Sequence, residues 1–408
     1  MKVLFLNAYF APEVIAYTHL ERDIMDSLFS AGHEIHVCCP MPTRGVTKDE
    51  KKRHAVKHET MFEGQVHVHR FWAPQEKRNP IIRAFRYFWC NFYQYQIAGK
   101  YIGVDAIFAV STPPTQGLLC GLAKKKLSKK YKRPVPFVYN LQDIFPDSLV
   151  TTGMTQKGSL LWKIGRKIEN FTYSSADKII VISQSMKRNI MEKGVPEEKI
   201  VVVSNWIDAD AVQPVEKENN RLYKEYSIEK DKFTVVYAGN FGAAQGADVV
   251  LEAAKQLPDV QFVIFGGGVE FESAKQTAAT LPNVIINGLL PQERVPEVYS
   301  LGDVCLITCK KGVGTSGMPS KTWSIMACNT PIIAAFDMDS ELAEVLKISN
   351  TGVCVEPENA NVLAEAIDAF AKGENQRYKG NGRLYVTANA DKKICTGRYV
   401  DTICSVIR

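Results

Sequence analysis

The sequence predicts an α/β fold of two doubly wound, parallel-sheet domains, and three observations carry the prediction. Short apolar runs alternate with helical stretches along the chain, the pattern of strands buried under helices on both faces. The runs fall into two series, separated by the charged segment EKENNRLYKEYSIEKDK at 216–232. The length of 408 residues suits two domains at roughly 100–200 residues each, and 46% hydrophobic residues can fill two cores.

Taken in order, KVLFLN (2–7), a loop at Pro12, a helix from about His19 to Ser30, Gly32-His33 and the strand EIHVCC make a βαβ start. Strands follow at DAIFAV (105–110), PFVYNL (136–141), KIIVIS (178–183) and KIVVVS (199–204), with helices at 158–174 and 184–193 between them. The second series reads FTVVYAG, a helix from Ala247 to Gln256, VQFVIFGGG, NVIING, a helix near Pro296 to Leu301, and DVCLIT. The domains are drawn at 1–207 and 208–385, with 386–408 as a C-terminal helix returning to the first domain. Facing sheets of this kind place the carboxyl ends of their strands around one cleft, where ligands are expected.

Composition removes several classes of function. No run approaches the roughly 20 apolar residues of a membrane span, and Pro12 and Glu13 arrive too soon for a secretory signal, so a cytoplasmic chain is expected. Ten cysteines are scattered without a CxxC pair, and all seven histidines lie at or before His69. Neither a zinc framework nor a His-based triad in the second half is expected. The formal charge of +6 is uneven: residues 77–133 hold twelve Lys/Arg against the single acid Asp105, leaving −5 for the rest. Arg83 and Arg86 are mixed with seven aromatics between Phe85 and Tyr95, and KKKLSKKYKR follows at 124–133. The combination suits an anionic membrane surface, or simply a solvated basic face; nucleic acid is disfavoured because no recognition motif accompanies it.

Candidate chemistry gathers at strand ends. Gly239, Gly242 and Gly246 in AGNFGAAQG, then Gly266-Gly267-Gly268, allow close backbone approach to a phosphate, but the spacing is not a dinucleotide fingerprint. KKGVGTSGMPSKTWSIMA (310–327) joins a glycine-bearing loop to an apolar helix. Amides around Gly317, Met318, Pro319 and Ser320, with Lys321 as a point charge, are candidates to hold a diphosphate; Lys321 also reads as an ordinary surface lysine. Glu341 either accepts ribose hydroxyls or favours a helix N-terminus. In the first half, Gln142 and Asp143 follow PFVYNL, where Asp143 either orients or deprotonates a sugar hydroxyl or caps a helix. Pro12 and Glu13 follow the first strand, where Glu13 contacts an acceptor or caps the next helix.

The segments AYFAPE, SAGHEIHVCCP, SSADKIIVISQSMKRNIMEKGVPEEKIVVVSNWID, VVYAGNFGAAQGADVVLEAAKQLPDVQFVIFGGG, GLLPQERVPEVYSLGDVCLIT and PSKTWSIMACNTPIIA, in this order, resemble the retaining GT-B glycosyltransferases of family four. PSK and LQDIFPDSL are most similar to bacterial enzymes of O-antigen and capsule assembly, fucosamine-transferase-like members included. The resemblance implies a GT-B fold of two Rossmann-like domains and a peripheral enzyme at the inner membrane face. It implies a UDP-sugar donor bound by the second domain, at Gly239, Asn240, Gly242, Gln245, Gly266, Gly288, Gly317, Met318, Pro319, Ser320 and Glu341. It also implies a lipid-linked saccharide acceptor, carried on undecaprenyl diphosphate, at Pro12, Glu13 and Gln142. Asp143 and Lys321 would be catalytic, by front-face attack with no metal or other cofactor. Four departures stand out. The family's diphosphate-binding Arg and Lys fall on Asn240 and Gln245, its paired glutamates on Ser316 and Ser324, its first Gly-Gly on Ile15-Ala16, and its first-domain histidine on Gln142. An epimerase- or phosphorylase-like enzyme and a non-catalytic sugar-binding subunit are the alternatives.

Overall fold

The computed structural model describes residues 1–15, 17–76, 80–151, 153–314 and 317–407. The chain divides into two compact units, Met1–Ser204 with Cys395–Arg408, and Asn205–Ile394. The tail expected as one helix over 386–408 is instead two helices, Asn381–Asn389 and Lys392–Ser405, and the chain changes unit inside the second.

The first unit holds β1 (Lys2–Leu6), β2 (Glu34–Pro40), β3 (His58–Met61), β4 (Val66–Phe71), β5 (Ala106–Val110), β6 (Phe137–Leu141), β7 (Lys178–Val181) and β8 (Ile200–Val202). They form one sheet in the order β3-β4-β2-β1-β5-β6-β7-β8, parallel except for the β3–β4 pair. The apolar runs are strands because both of their faces are covered: Val3, Leu4, Phe5 and Leu6 have no exposed surface. The β3–β4 pair is absent from the expected elements. Its VHVHRF alternates inward valines with outward histidines and lacks the continuous apolar signal of a central strand. Helices flank the sheet, and several start on side-chain caps: Ser159 accepts from the Trp162 amide and Ser183 from the Met186 amide.

The second unit adds β9 (Thr234–Asn240), β10 (Gln261–Gly267), β11 (Val284–Gly288), β12 (Val304–Thr308), β13 (Ile332–Ala335) and β14 (Gly352–Val355). The order β11-β10-β9-β12-β13-β14, all parallel, is the dinucleotide-fold order with its reversal between β9 and β12. Alternate residues feed two separate cores: Val236, Val263, Cys305 and Ile332 pack on one face, and Val235, Phe262, Val304 and Ile333 on the other. Because every strand of this sheet runs the same way, the loops after β9, β10, β11, β12 and β13 emerge along one edge.

Candidate functional site

That edge carries every donor-site candidate of the second unit. Strand register aligns three of them, since Gly266 of β10 pairs with Gly239 of β9 on one side and with Gly288 of β11 on the other. A row of three glycines therefore crosses the ends of three strands. Gly239 sits at φ +155. A Cβ at Gly266 would meet the Phe241 and Phe271 rings at 2.7 Å, so this glycine is required by packing.

Lys321 opens the helix Lys321–Ala327, which follows β12. Its side chain runs back to the β9–β12 reversal, where Nζ donates to the Ala238 carbonyl at 3.2 Å and lies 4.4 Å from the centroid of the Tyr237 ring. A Cβ on Gly239 would stand 3.0 Å from the same nitrogen. The residue keeps some surface, but its ammonium is enclosed, and this desolvation lowers its pKa to about 8, with Cys305 opposing. Among the described residues no carboxylate lies within ion-pair distance of it. The surface-lysine reading is thereby corrected: the niche is made by Tyr237 and Gly239, more than eighty positions earlier in the chain.

Asn240 and Gln245, where the resemblance would place an Arg and a Lys, are bonded to each other, Asn240 Nδ2 to Gln245 Oε1 at 3.2 Å. Gly242 lies against this pair. Gly317 is open, with nothing among the described residues within 4 Å of the point a Cβ would occupy. Met318 and Pro319 are half-buried and Ser320 is exposed; the Thr322 amide closes a turn on the Pro319 carbonyl. Ser320 makes no side-chain cap. Glu341 is the first residue of the helix Glu341–Ser349, after β13, where its charge favours the helix N-terminus; it and Glu344 raise the pKa of the Tyr385 phenol, after the larger effect of burial. Ser324 lies in the Lys321 helix, whereas Ser316 and Ala16 lie outside the described residues.

Asp337 escaped the sequence reading. It is buried after β13, and its two carboxylate oxygens accept the Gly312 amide at 2.9 Å and the Gly314 amide at 2.7 Å. It thus fixes the loop that leads to Lys321. An Asp two residues beyond a buried strand, with a glycine-bearing loop elsewhere, was the signal available.

In the first unit, the Ser111 hydroxyl, after β5, accepts the backbone amides of Gln142 at 3.0 Å and Asp143 at 3.3 Å. The Asn140 side-chain oxygen accepts Gln142 Nε2 at 2.9 Å and the Tyr399 hydroxyl at 3.1 Å. The end of β6 is thus pinned from two sides. Asp143 shows surface to solvent, yet enough protein surrounds its carboxyl to push the pKa above the ordinary value by desolvation. It is no helix cap, because the next helix starts at Asp147. Glu13 also differs from expectation. It is wholly buried, with Oε1 accepting the Thr43 amide at 2.8 Å, the Thr43 hydroxyl at 3.2 Å and the Arg44 amide at 2.8 Å, so it ties the loop after β1 to the loop after β2 and caps no helix. Glu13 Oε2 is buried without a hydrogen-bond partner among the described residues. Pro12, half-buried, precedes it across the same loop.

The basic stretch is partly consumed by the fold. Lys77 and Arg78 lie outside the described residues, and Arg86 is buried, donating to the Pro74 carbonyl at 2.6 Å. Lys126 donates to the Tyr95 carbonyl, and Lys130 to the Gly99 and Tyr101 carbonyls, at the end of the helix Pro80–Ala98. Lys124 pairs with Asp177 and Arg133 with Asp105. Among the described residues no group of three His, Cys, Asp or Glu is placed to hold a metal ion, and no helix is long and apolar enough to cross a membrane.

Comparison with known proteins bears on the domains and the fold. The chain is 27% identical over 274 residues to "Probable glycosyltransferase WbjE" of Pseudomonas aeruginosa, covering 66% of this chain and 68% of that one. It is 27% identical over 239 residues to "Putative colanic acid biosynthesis glycosyl transferase WcaI" of Escherichia coli, covering 56% and 58%. Among solved structures, HepE of Anabaena in complex with UDP superposes with a TM-score of 0.72 at 16% identity over 100% of both chains. The sucrose-phosphate synthase of Thermosynechococcus elongatus gives 0.73 at 16% identity over 99% of this chain and 98% of that one. With residues 22–211 matching the family described as Glycosyltransferase Family 4 and residues 218–384 matching Glycosyl transferases group 1, the chain carries these two glycosyltransferase domains in succession on a GT-B fold.

Proposed function

We propose that the protein is a retaining glycosyltransferase of surface-polysaccharide assembly, moving a sugar, an N-acetylated deoxyhexose among the candidates, from a UDP-sugar to a lipid-linked saccharide at the inner face of the plasma membrane. One observation carries the reading: an enclosed ammonium with no counter-carboxylate among the described residues, Lys321, held beside the glycine row at the chain reversal of a dinucleotide-type sheet. A buried cation without an anion is a standing energetic cost that a diphosphate would relieve. The UDP complex of HepE, which shares the fold, supports a uridine donor, and the similarity to the relative described as a putative colanic acid biosynthesis glycosyl transferase supports a polysaccharide product.

In this reading Lys321 neutralises charge gathering on the departing diphosphate, assisted by backbone amides around Gly317 to Ser320, while Glu341 holds the ribose. Asp143 accepts a hydrogen bond from the acceptor hydroxyl, with Gln142 beside it and Glu13 shaping the loop at Pro12. The donor phosphate takes the acceptor proton as the new bond forms on the face the nucleotide leaves. Donor choice is tested by thermal shift with UDP-, GDP- and dTDP-sugars, since ligand bound to the native state raises the melting point by mass action. Stabilisation by UDP-sugars alone supports the uridine reading, and stabilisation by another base or by none refutes it.

The neutral Asn240–Gln245 pair favours a second reading, a sugar-binding subunit without turnover. Product analysis with and without acceptor separates the two, and also identifies an epimerase, which releases nucleotide and free sugar with no acceptor present.

A further inference from the structure

The helix Pro80–Ala98 contains no acidic residue and leaves Phe85, Phe88 and Phe92 exposed at 56%, 63% and 59%. Their spacing of three and four places them in one stripe. Trp72, 61% exposed, continues the stripe through an edge contact to Trp89 at 5.5 Å, and the Trp89 indole N–H donates to the Trp72 carbonyl. Phe92 and Trp72 also form one wall of a groove of about 820 Å³ between this helix and β4, floored by Phe71, Tyr93 and Ile97. Lys57 and Lys100 stand at its rim, both exposed, and neither has a carboxylate within ion-pair distance among the described residues. The groove lining includes neither Asp nor Glu.

We infer that this groove and stripe dock an anionic phospholipid bilayer, with one acyl chain entering the groove and its phosphate held by Lys57 and Lys100. This deepens the membrane part of the proposed function and rests on it. An apolar floor alone would suit a protein partner equally well. The basic, acid-free rim selects an occupant that is hydrocarbon at one end and anionic at the other, and exposed Trp and Phe beside lysines match the bilayer interface. Of the 77–133 stretch that the sequence offered as the membrane contact, Lys126 and Lys130 bind the carbonyls that close this helix, whereas Lys57 and Lys100 line the groove itself.

The full chain is tested by flotation with vesicles of phosphatidylcholine, alone or with one third phosphatidylglycerol, at low salt. Phosphatidylcholine brominated along its acyl chain serves as a quencher of tryptophan fluorescence. Binding to the anionic vesicles is expected, falling at least about tenfold in Phe88→Glu/Phe92→Glu, as loss of a buried phenyl implies. Bromine quenching is expected in the wild type and strongly reduced in Trp72→Phe. In Lys57→Gln/Lys100→Gln the preference for phosphatidylglycerol is expected to disappear. Equal binding by the phenylalanine variant, or binding without quenching of Trp72, overturns the inference. So does a concentration-dependent dimer that Phe88→Glu/Phe92→Glu abolishes in a protein that ignores vesicles. Melting shifts with UDP-sugar in the same variants keep the two readings apart. Absent docking with an intact shift defeats the groove alone, whereas docking without any shift in the wild type defeats the transferase.

Discussion

Replacing Lys321 by Met should make the ligand-free protein more stable while impairing it. Burial lowers the Lys321 pKa from 10.5 to about 8. At 1.36 kcal/mol per pKa unit, holding the charged form in this niche costs about 3 kcal/mol, an upper bound for what Met recovers because Met forgoes the bond to Ala238 and the contact with Tyr237. For a unit the size of Asn205–Ile394, each kcal/mol moves the melting point by about 2–4 °C, so a rise of roughly 3–10 °C is expected. The sign with pH follows from proton counts. Below about pH 8 both folded and unfolded lysine are protonated and the whole penalty is present. Between about 8 and 10.5 the native state sheds its proton first, the wild type gains stability, and the variant's advantage shrinks. The assay is differential scanning fluorimetry of both proteins across that range, with and without UDP. The variant should lose the UDP shift and fall about 10- to 1,000-fold in turnover, the scale of one transition-state charge contact. A variant melting at or below the wild type at neutral pH, or an advantage independent of pH, would refute the claim of an enclosed, uncompensated ammonium.

Asp143→Asn should abolish the acid limb of the rate profile, which in the wild type lies above the ordinary carboxyl range because burial raises this group, and should slow transfer about 10- to 100-fold, the scale of one hydrogen bond to a charged group; a profile identical to wild type would exclude it from the chemistry. Gly117→Ala drives a Cβ to 2.2 Å from the Thr172 methyl, between the helices Gln116–Tyr131 and Leu160–Ser175, and should cost about 1–3 kcal/mol in urea denaturation. Gly317→Ala meets open space, so it should leave the melting point unchanged yet weaken UDP binding in calorimetry. Glu21, buried against the Asn7 amide, has its pKa raised to about 8, so the native state keeps a proton that the unfolded chain releases near 4.5. Wild-type stability should therefore decline from about pH 4.5 to 8, and Glu21→Gln, measured by denaturation at several pH values, should flatten that decline.

Central strands were legible in the sequence because burial on both faces leaves continuous apolar runs, as in FTVVYAG for β9 and DVCLIT for β12. The β3–β4 pair was not, since the edge strand β3 and its neighbour β4 keep one solvated face, here bearing His58, His67 and His69, and give no such run. The candidate site shows the same division. Local signals, glycines after strands and a Pro-Ser-Lys before a helix, picked out residues that the structure gathers along one edge of the second sheet. Burial did not follow from local signals. Glu13 reads as an acceptor contact or a helix cap until the Thr43–Arg44 amides are brought against it, and the surface-lysine alternative for Lys321 stands until Tyr237 is placed beneath it. Nor could a run of lysines announce that Lys126 and Lys130 would be spent on the carbonyls closing a neighbouring helix.

The return of the chain to its first unit has a consequence for biosynthesis. Tyr399 and Ile403 have no exposed surface, and Tyr399 packs against Phe108 and bonds to Asn140 in the middle of the first sheet. While a ribosome is still making residues 205–394, the nascent first unit lacks that plug, for about 10–40 s at bacterial-like elongation rates of roughly 5–20 residues per second. Its half-finished apolar surface is open to chaperones for that interval, and a truncated transcript ending before residue 395 would leave it open permanently.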